Sequence, residues 1–132
     1  MDYKTSLEEL EESLAELRDD NKTIPILVEG EKDITALRKL EMTGEIIRFN
    51  IGQSVSDFCD HIAQHYKKVI LLTDWDWRGG RLCLQIKKHL ENRVSCNTQY
   101  REMFAKRCPV RTVEGIPQWL ETLRKKMEGA ST

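Results

Sequence analysis

Ile24-Pro25-Ile26-Leu27-Val28-Glu29-Gly30-Glu31-Lys32-Asp33 and Val69-Ile70-Leu71-Leu72-Thr73-Asp74-Trp75-Asp76-Trp77-Arg78-Gly79 are built alike. In each, a short apolar run is closed by carboxylates and a helical pattern follows. Such unbroken runs are expected of strands covered on both faces of a sheet. Pro25 lacks an amide hydrogen and belongs at the start of its strand or at an edge. Working outward, Lys32 to Glu41 has the helical period through Ile34, Leu37 and Leu40. Glu45 to Asn50 reads as a strand ended by Gly52, and Ser54 opens a helix to about Tyr66 through Val55, Phe58 and Ile62. A helix from about Gly80 to Asn92 turns Leu82, Ile86 and Leu90 inward. Tyr100 to Arg107 reads as a short helix, Val110 to Val113 as a strand, and Ile116 to about Met127 as a last helix with Pro117 in its first turn.

Strands alternating with helices imply an α/β domain: a mainly parallel four-stranded sheet with helices on both faces. Residues 23–127 form this domain, and residues 128–132 read as a flexible tail. Residues 1–22 add an amphipathic helix whose Leu7, Leu10, Leu14 and Leu17 recur at three and four, with Thr5 or Ser6 as its cap. Its leucine stripe either packs on its own domain or forms a seam for a homodimer or partner protein.

In open parallel sheets, ligands collect at the carboxyl ends of the strands. Glu29, Asp74 and Asp76 fall there. Asp74 and Asp76, two apart, project to one side of an extended backbone. Carboxylates aimed one way repel unless a cation lies between them. Oxygen ligands without His or Cys suit Mg²⁺ or Mn²⁺ rather than zinc, and Mg²⁺ on one or two carboxylates keeps positions open for phosphate oxygens. Gly30 allows a sharp turn, while Gly79 and Gly80 allow a tight entry into the next helix, whose free amides can face an anion. Asp33 either binds metal through water or favours the helix dipole. Trp75 and Trp77 either pack on a neighbouring helix or offer a platform for an unpaired base. Arg78 and Arg81, one turn from the aspartates, are placed to reach phosphate oxygens. Glu114 is a further acid, either a ligand or a helix-start carboxylate.

The two segments resemble the Toprim signature: an apolar strand, EGxxDxxAL from Glu29-Gly30 through Asp33, Ala36 and Leu37, a second apolar strand, then DxDxxG from Asp74 to Gly79. The resemblance runs from Ile24 to the last helix, and the whole chain is similar to short stand-alone Toprim proteins of archaea. It implies a Toprim-like (Rossmann-like) fold in which Glu29 is the general acid or base. It also implies that Asp74 and Asp76 coordinate Mg²⁺, with Asp33 contributing less. Toprim domains occur in topoisomerases, bacterial-type primases, ribosomal-RNA maturation nucleases and recombination-repair proteins. The nucleophilic tyrosine of a topoisomerase and the template-binding domains of a primase are not expected here. That leaves an endonuclease on RNA or DNA, a non-catalytic nucleic-acid-binding or complex-assembly subunit, or an enzyme on a small phosphorylated substrate.

The 132 residues suffice for one domain with a sizeable core, and the 39% hydrophobic and 33% charged composition is that of a globular chain. No apolar run approaches the roughly 20 residues that span a bilayer, and the acidic first residues lack a signal peptide's apolar stretch, so no membrane partner and a cytoplasmic location are expected. Cys59, Cys83, Cys96 and Cys108 form no metal-ligand spacing and read as reduced thiols. His61, His65 and His89 have no partner spacing. The net charge of −1 hides a division: residues 1–66 hold 7 Lys/Arg against 15 Asp/Glu, and residues 67–132 hold 14 against 7. A basic half beside an acidic motif is a compositional pointer to a nucleic-acid partner.

Overall fold

The computed structural model describes residues 2–49 and 52–130. Helix α1 (Tyr3–Asn21) leads into β1 (Ile26–Val28), α2 (Glu31–Lys39), β2 (Ile46–Arg48), α3 (Val55–His65), β3 (Lys68–Leu71), α4 (Trp77–Leu90), β4 (Ser95–Asn97) and α5 (Gln99–Arg107). A 3-10 turn (Val113–Gly115) then opens α6 (Ile116–Ala130). The four strands form one parallel sheet in the order β2-β1-β3-β4. The chain therefore moves outward from β1 to β2, then crosses back to build β3 and β4 on the other side. That reversal leaves a crevice at the carboxyl ends of β1 and β3, where α/β sheets bind ligands.

Strand alternation divides the core in two. Ile26, Val28, Ile70 and Leu72 face α1, α2, α5 and α6, whereas Leu27, Val69 and Leu71 face α3 and α4. Both central strands are thus covered on each face, which is why they read as unbroken apolar runs. Leu10, Leu14 and Leu17 of α1 are buried in the first cluster. Each such leucine contributes roughly 1.5–3 kcal/mol of transfer free energy. The leucine stripe is therefore spent inside its own domain, and only the outer, acid-rich face of α1 stays open. The cap is Asp2, whose carboxylate accepts from the Thr5 amide at 3.2 Å, so the helix begins before Thr5 and Ser6.

The fourth strand and the C-terminal tail differ from the sequence reading for identifiable reasons. The fourth strand is Ser95–Asn97, a polar edge segment paired to Lys68–Ile70, and not Val110–Val113. Residues 110–113 instead lie across the end of β3: the Trp75 amide donates to the Arg111 carbonyl at 3.0 Å and Trp75 Nε1 to the Val110 carbonyl at 2.5 Å. Val113 is fully buried there, satisfying its apolar character without a sheet. At the other end, α6 continues through Ala130, so the start of the expected tail at Glu128 is helical; Ser131 and Thr132, like Asn50 at the end of the second expected strand, lie outside the described residues. The four cysteines are free thiols, three of them buried.

Candidate active site

Glu29 leaves the end of β1 and Asp74 lies just past the end of β3, and the two meet across the crevice. Glu29 Oε2 accepts from the Asp74 amide at 2.7 Å. Asp74 in turn uses Oδ1 to accept from the Val113 amide at 2.9 Å. Asp76 uses Oδ1 to accept from the Gly79 amide at 2.7 Å, which makes it the N-cap of α4. Each carboxylate is thus oriented through one oxygen by a backbone amide.

The two aspartates converge differently from the sequence expectation. The backbone bends at Trp75 and Asp76, and α4 starts at Trp77 rather than Gly80. Asp76 comes beside Glu29 through the helix cap and not through strand alternation. The amides of Gly79 and Gly80 are both taken by Asp76, at 2.7 and 2.9 Å, so this helix start presents neither of them to a phosphate. Gly79 has a steric role instead: a Cβ there would lie 1.9 Å from the Asp74 carbonyl oxygen. Thr73 ties the same turn shut by donating its hydroxyl to the Gly79 carbonyl at 2.8 Å. Gly30, by contrast, is extended (φ −160°), and a Cβ at that position would meet no heavy atom within 4 Å, so no sharp turn demands a glycine.

Asp33 is buried and reaches back to the Gly30 amide at 3.2 Å, capping α2. That contact is the helix-terminus role expected of it. Arg78 and Arg81 are exposed on the outer side of α4; Arg81 lies over the Trp77 ring at 5.1 Å from its centroid. The tryptophans part company, as Trp75 packs near Phe104 (ring centroids 5.8 Å) while Trp77 is 73% exposed. Glu114 sits in the 3-10 turn near enough for its charge to act on Asp33 and Asp74.

The electrostatics are those of crowded, unneutralised acids. Burial, reinforced by the charges of Asp74 and Asp76 and a hydrogen bond with the Asp74 carboxyl, pushes Glu29 up to about 7 despite the Asp74 amide. Burial and then the charge of Asp74 push Asp33 up to about 6, against the pull of backbone amides. Asp74 is also raised, first by burial and then by Asp76 and Glu114, with the Val113 amide and Glu29 opposing. Among the described residues, no salt bridge reaches any of these five acids.

Two residues that sequence reasoning missed hold the loop. Arg101 of α5 donates Nε to the Thr73 carbonyl at 3.0 Å and Nη2 to the Asp74 carbonyl at 2.8 Å. The Val113 amide fixes the Asp74 carboxylate. The two partners lie 27 and 39 residues after Asp74 in the chain, and a backbone amide carries no signal in a side-chain pattern.

Among the described residues, no three His, Cys, Asp or Glu side chains stand close enough together to hold a metal ion. The donor set nonetheless fits Mg²⁺, a hard cation that needs only one or two carboxylates and fills its remaining positions with water or phosphate oxygen. Glu29, Asp74 and Asp76 would hold it, and their mutual repulsion is the term it would relieve.

The Toprim domain model matches residues 24–106, the span that carries both acidic segments. A UPF0292 protein of Thermoplasma volcanium is 41% identical over 102 residues, covering 76% of this chain and 86% of its own. One of Methanosarcina acetivorans is 30% identical over 130 residues, covering 94% and 88%. A solved structure of a protein from Aquifex aeolicus superposes with a TM-score of 0.68 at 29% identity, covering 78% of this chain and 94% of that one. No helix among the described residues is long and apolar enough to cross a membrane. A Toprim domain points to a nucleic-acid-related function and generally binds Mg²⁺. By sequence match and by fold, this chain belongs to the Toprim domain family, alongside the archaeal UPF0292 proteins.

Proposed function

We propose that the chain is a Mg²⁺-dependent enzyme acting on nucleic-acid phosphodiesters, specifically an endonuclease. One observation carries this reading: Glu29 and Asp74 are held in contact at the sheet's switch point, with Asp76 beside them and, among the described residues, no salt bridge to any of the three. A divalent cation held by these residues would supply Lewis-acid polarisation of a phosphoryl group. The chain's own residues do the rest. Asp74 and Asp76 are oriented in advance by the Val113 and Gly79 amides, so little reorganisation accompanies binding of the phosphate. Glu29, held against the Asp74 amide at the edge of the set, is placed to serve as general acid or base toward the leaving or attacking oxygen.

A second reading draws on one feature of the same geometry. Asp76 caps a helix and Asp74 anchors residue 113, so both aspartates have structural work in a protein that binds nucleic acid, or assembles a complex, without cleaving. Cleavage of structured RNAs and DNAs in Mg²⁺, wild type against Asp76→Asn, separates the two. Asparagine keeps the cap, so the variant folds. The nuclease reading expects its activity to fall at least about 100-fold, in the range of losses seen when a group stabilising transition-state charge is removed. Equal rates from the two proteins would end that reading.

A further inference from the structure

We infer that the outer face of α4 is a track for single-stranded nucleic acid, with Trp77 as the platform on which an unpaired base stacks. The inference deepens the nuclease reading and rests on it for the class of ligand. It starts from exposure: Trp77, 73% accessible, stands next to Asp76 at the first position of α4. An indole so open gains nothing from the core, whereas Trp75 two residues earlier is packed and hydrogen bonded. One face of the Trp77 ring is covered by the Arg81 guanidinium, and with Arg78, Leu82 and Gln85 they line an open recess of about 260 Å³.

Charge selects the occupant. Trp77–Leu90 contains Arg78, Arg81, Lys87 and Lys88 and no Asp or Glu. All four cations are exposed, and among the described residues none enters a salt bridge. Trp77, Arg81 and Lys88, at spacings of four and seven, share one side of the helix over a rise of roughly 16 Å, with Arg78 and Lys87 to either side, so a cationic row leads away from the acidic crevice. An aromatic plane beside a row of guanidinium and ammonium groups matches a strand whose bases have free π-faces and whose phosphates are spaced along one side. A duplex hides those faces. The scissile phosphate would then lie at the crevice, with the neighbouring unpaired base on Trp77.

The test reads binding in EDTA, apart from any cleavage. Fluorescein-labelled oligo(U) and oligo(dT) of about 12 nucleotides, a blunt duplex of equal length and phosphatidylglycerol vesicles are titrated with wild type, Trp77→Ala, Trp77→Phe and Arg78→Ala/Arg81→Ala. Expected are tighter binding of either single strand than of duplex, a loss of roughly fivefold or more in Trp77→Ala, and recovery to within about threefold in Trp77→Phe. The arginine pair should flatten the salt dependence by about 1.4 in log-log slope, two phosphate contacts at about 0.7 each. Unchanged strand affinity in Trp77→Ala, or Trp77-dependent binding of vesicles but not of strands, would overturn the track. Cleavage separates the two proposals. A Trp77→Ala protein with full strand affinity and Asp76-dependent cleavage overturns the track alone. Trp77-dependent binding by a protein that cleaves nothing supports the track and overturns the nuclease.

Discussion

Replacing Glu29 with glutamine should make the metal-free protein more stable at pH 8. The cause lies in where the proton sits. In the unfolded chain the carboxyl ionises at its ordinary 4.5, whereas in the fold it is raised to about 7. A raised acid stabilises the fold fully below pH 4.5. That contribution is lost as pH climbs from 4.5 through 7, because ionisation becomes harder folded than unfolded. The full rise corresponds to about 3 kcal/mol, and partial exposure of the side chain to water cuts this to about 1–2 kcal/mol. Glutamine removes the charge yet keeps an oxygen to accept the Asp74 amide. In EDTA the variant should therefore melt about 3–8 °C above wild type at pH 8, and the gap should close toward pH 4.5. Because Asp33 also titrates in this window, the difference between the two proteins, and not either melt alone, is the readout. Excess Mg²⁺ should reverse the order at pH 8: wild type gains about 2.7 kcal/mol at one hundred times its dissociation constant, and the variant less. A variant that melts lower than wild type in EDTA at pH 8, or a gap that does not change with pH, would refute the account of unneutralised acids.

Other consequences follow from the supports of the site. Gly79→Ala should cost several kcal/mol in urea melts or displace Asp74 and abolish Mn²⁺ uptake, since its Cβ would meet the Asp74 carbonyl at 1.9 Å, whereas Gly30→Ala should change stability by less than about 1 kcal/mol. Arg101→Met should destabilise by about 2 kcal/mol, through two lost charged hydrogen bonds, and weaken Mn²⁺ binding by calorimetry although Arg101 is no ligand. Asp33→Asn should leave Mn²⁺ affinity within a few fold while Asp74→Asn abolishes it, if the Gly30 contact reflects capping and not coordination.

What the sequence revealed and concealed divides along physical lines. The central strands were legible because burial on both faces leaves nothing polar in Ile26–Val28 or Val69–Leu71. Edge strand β4 was not, since Ser95-Cys96-Asn97 pairs through backbone groups on one side only and needs no apolar run. Residues 110–113, three of them β-branched, mimicked a strand, and the burial of Val113 does not by itself say whether the neighbour is a sheet or a loop.

At the site, residue types were legible and their jobs were not. Glu29, Asp74 and Asp76 could be picked out by charge and by position after apolar runs, and the fold does bring Glu29 and Asp74 into contact. Their convergence, however, depends on a bend at Trp75 and Asp76, a glycine forced by the Asp74 carbonyl, an arginine from α5 and an amide from residue 113. Each of these works through a backbone atom, and backbone atoms are the same in every sequence. It follows that a chain could keep the three acids and lose the site through Gly79 or Arg101. The spacing of EG and DxD is then a necessary signature, and the backbone supports decide whether the acids meet. For this chain all of those supports are present, which is why the acids repel one another strongly enough to help burial raise Glu29 to about 7 and leave a divalent cation the natural remedy.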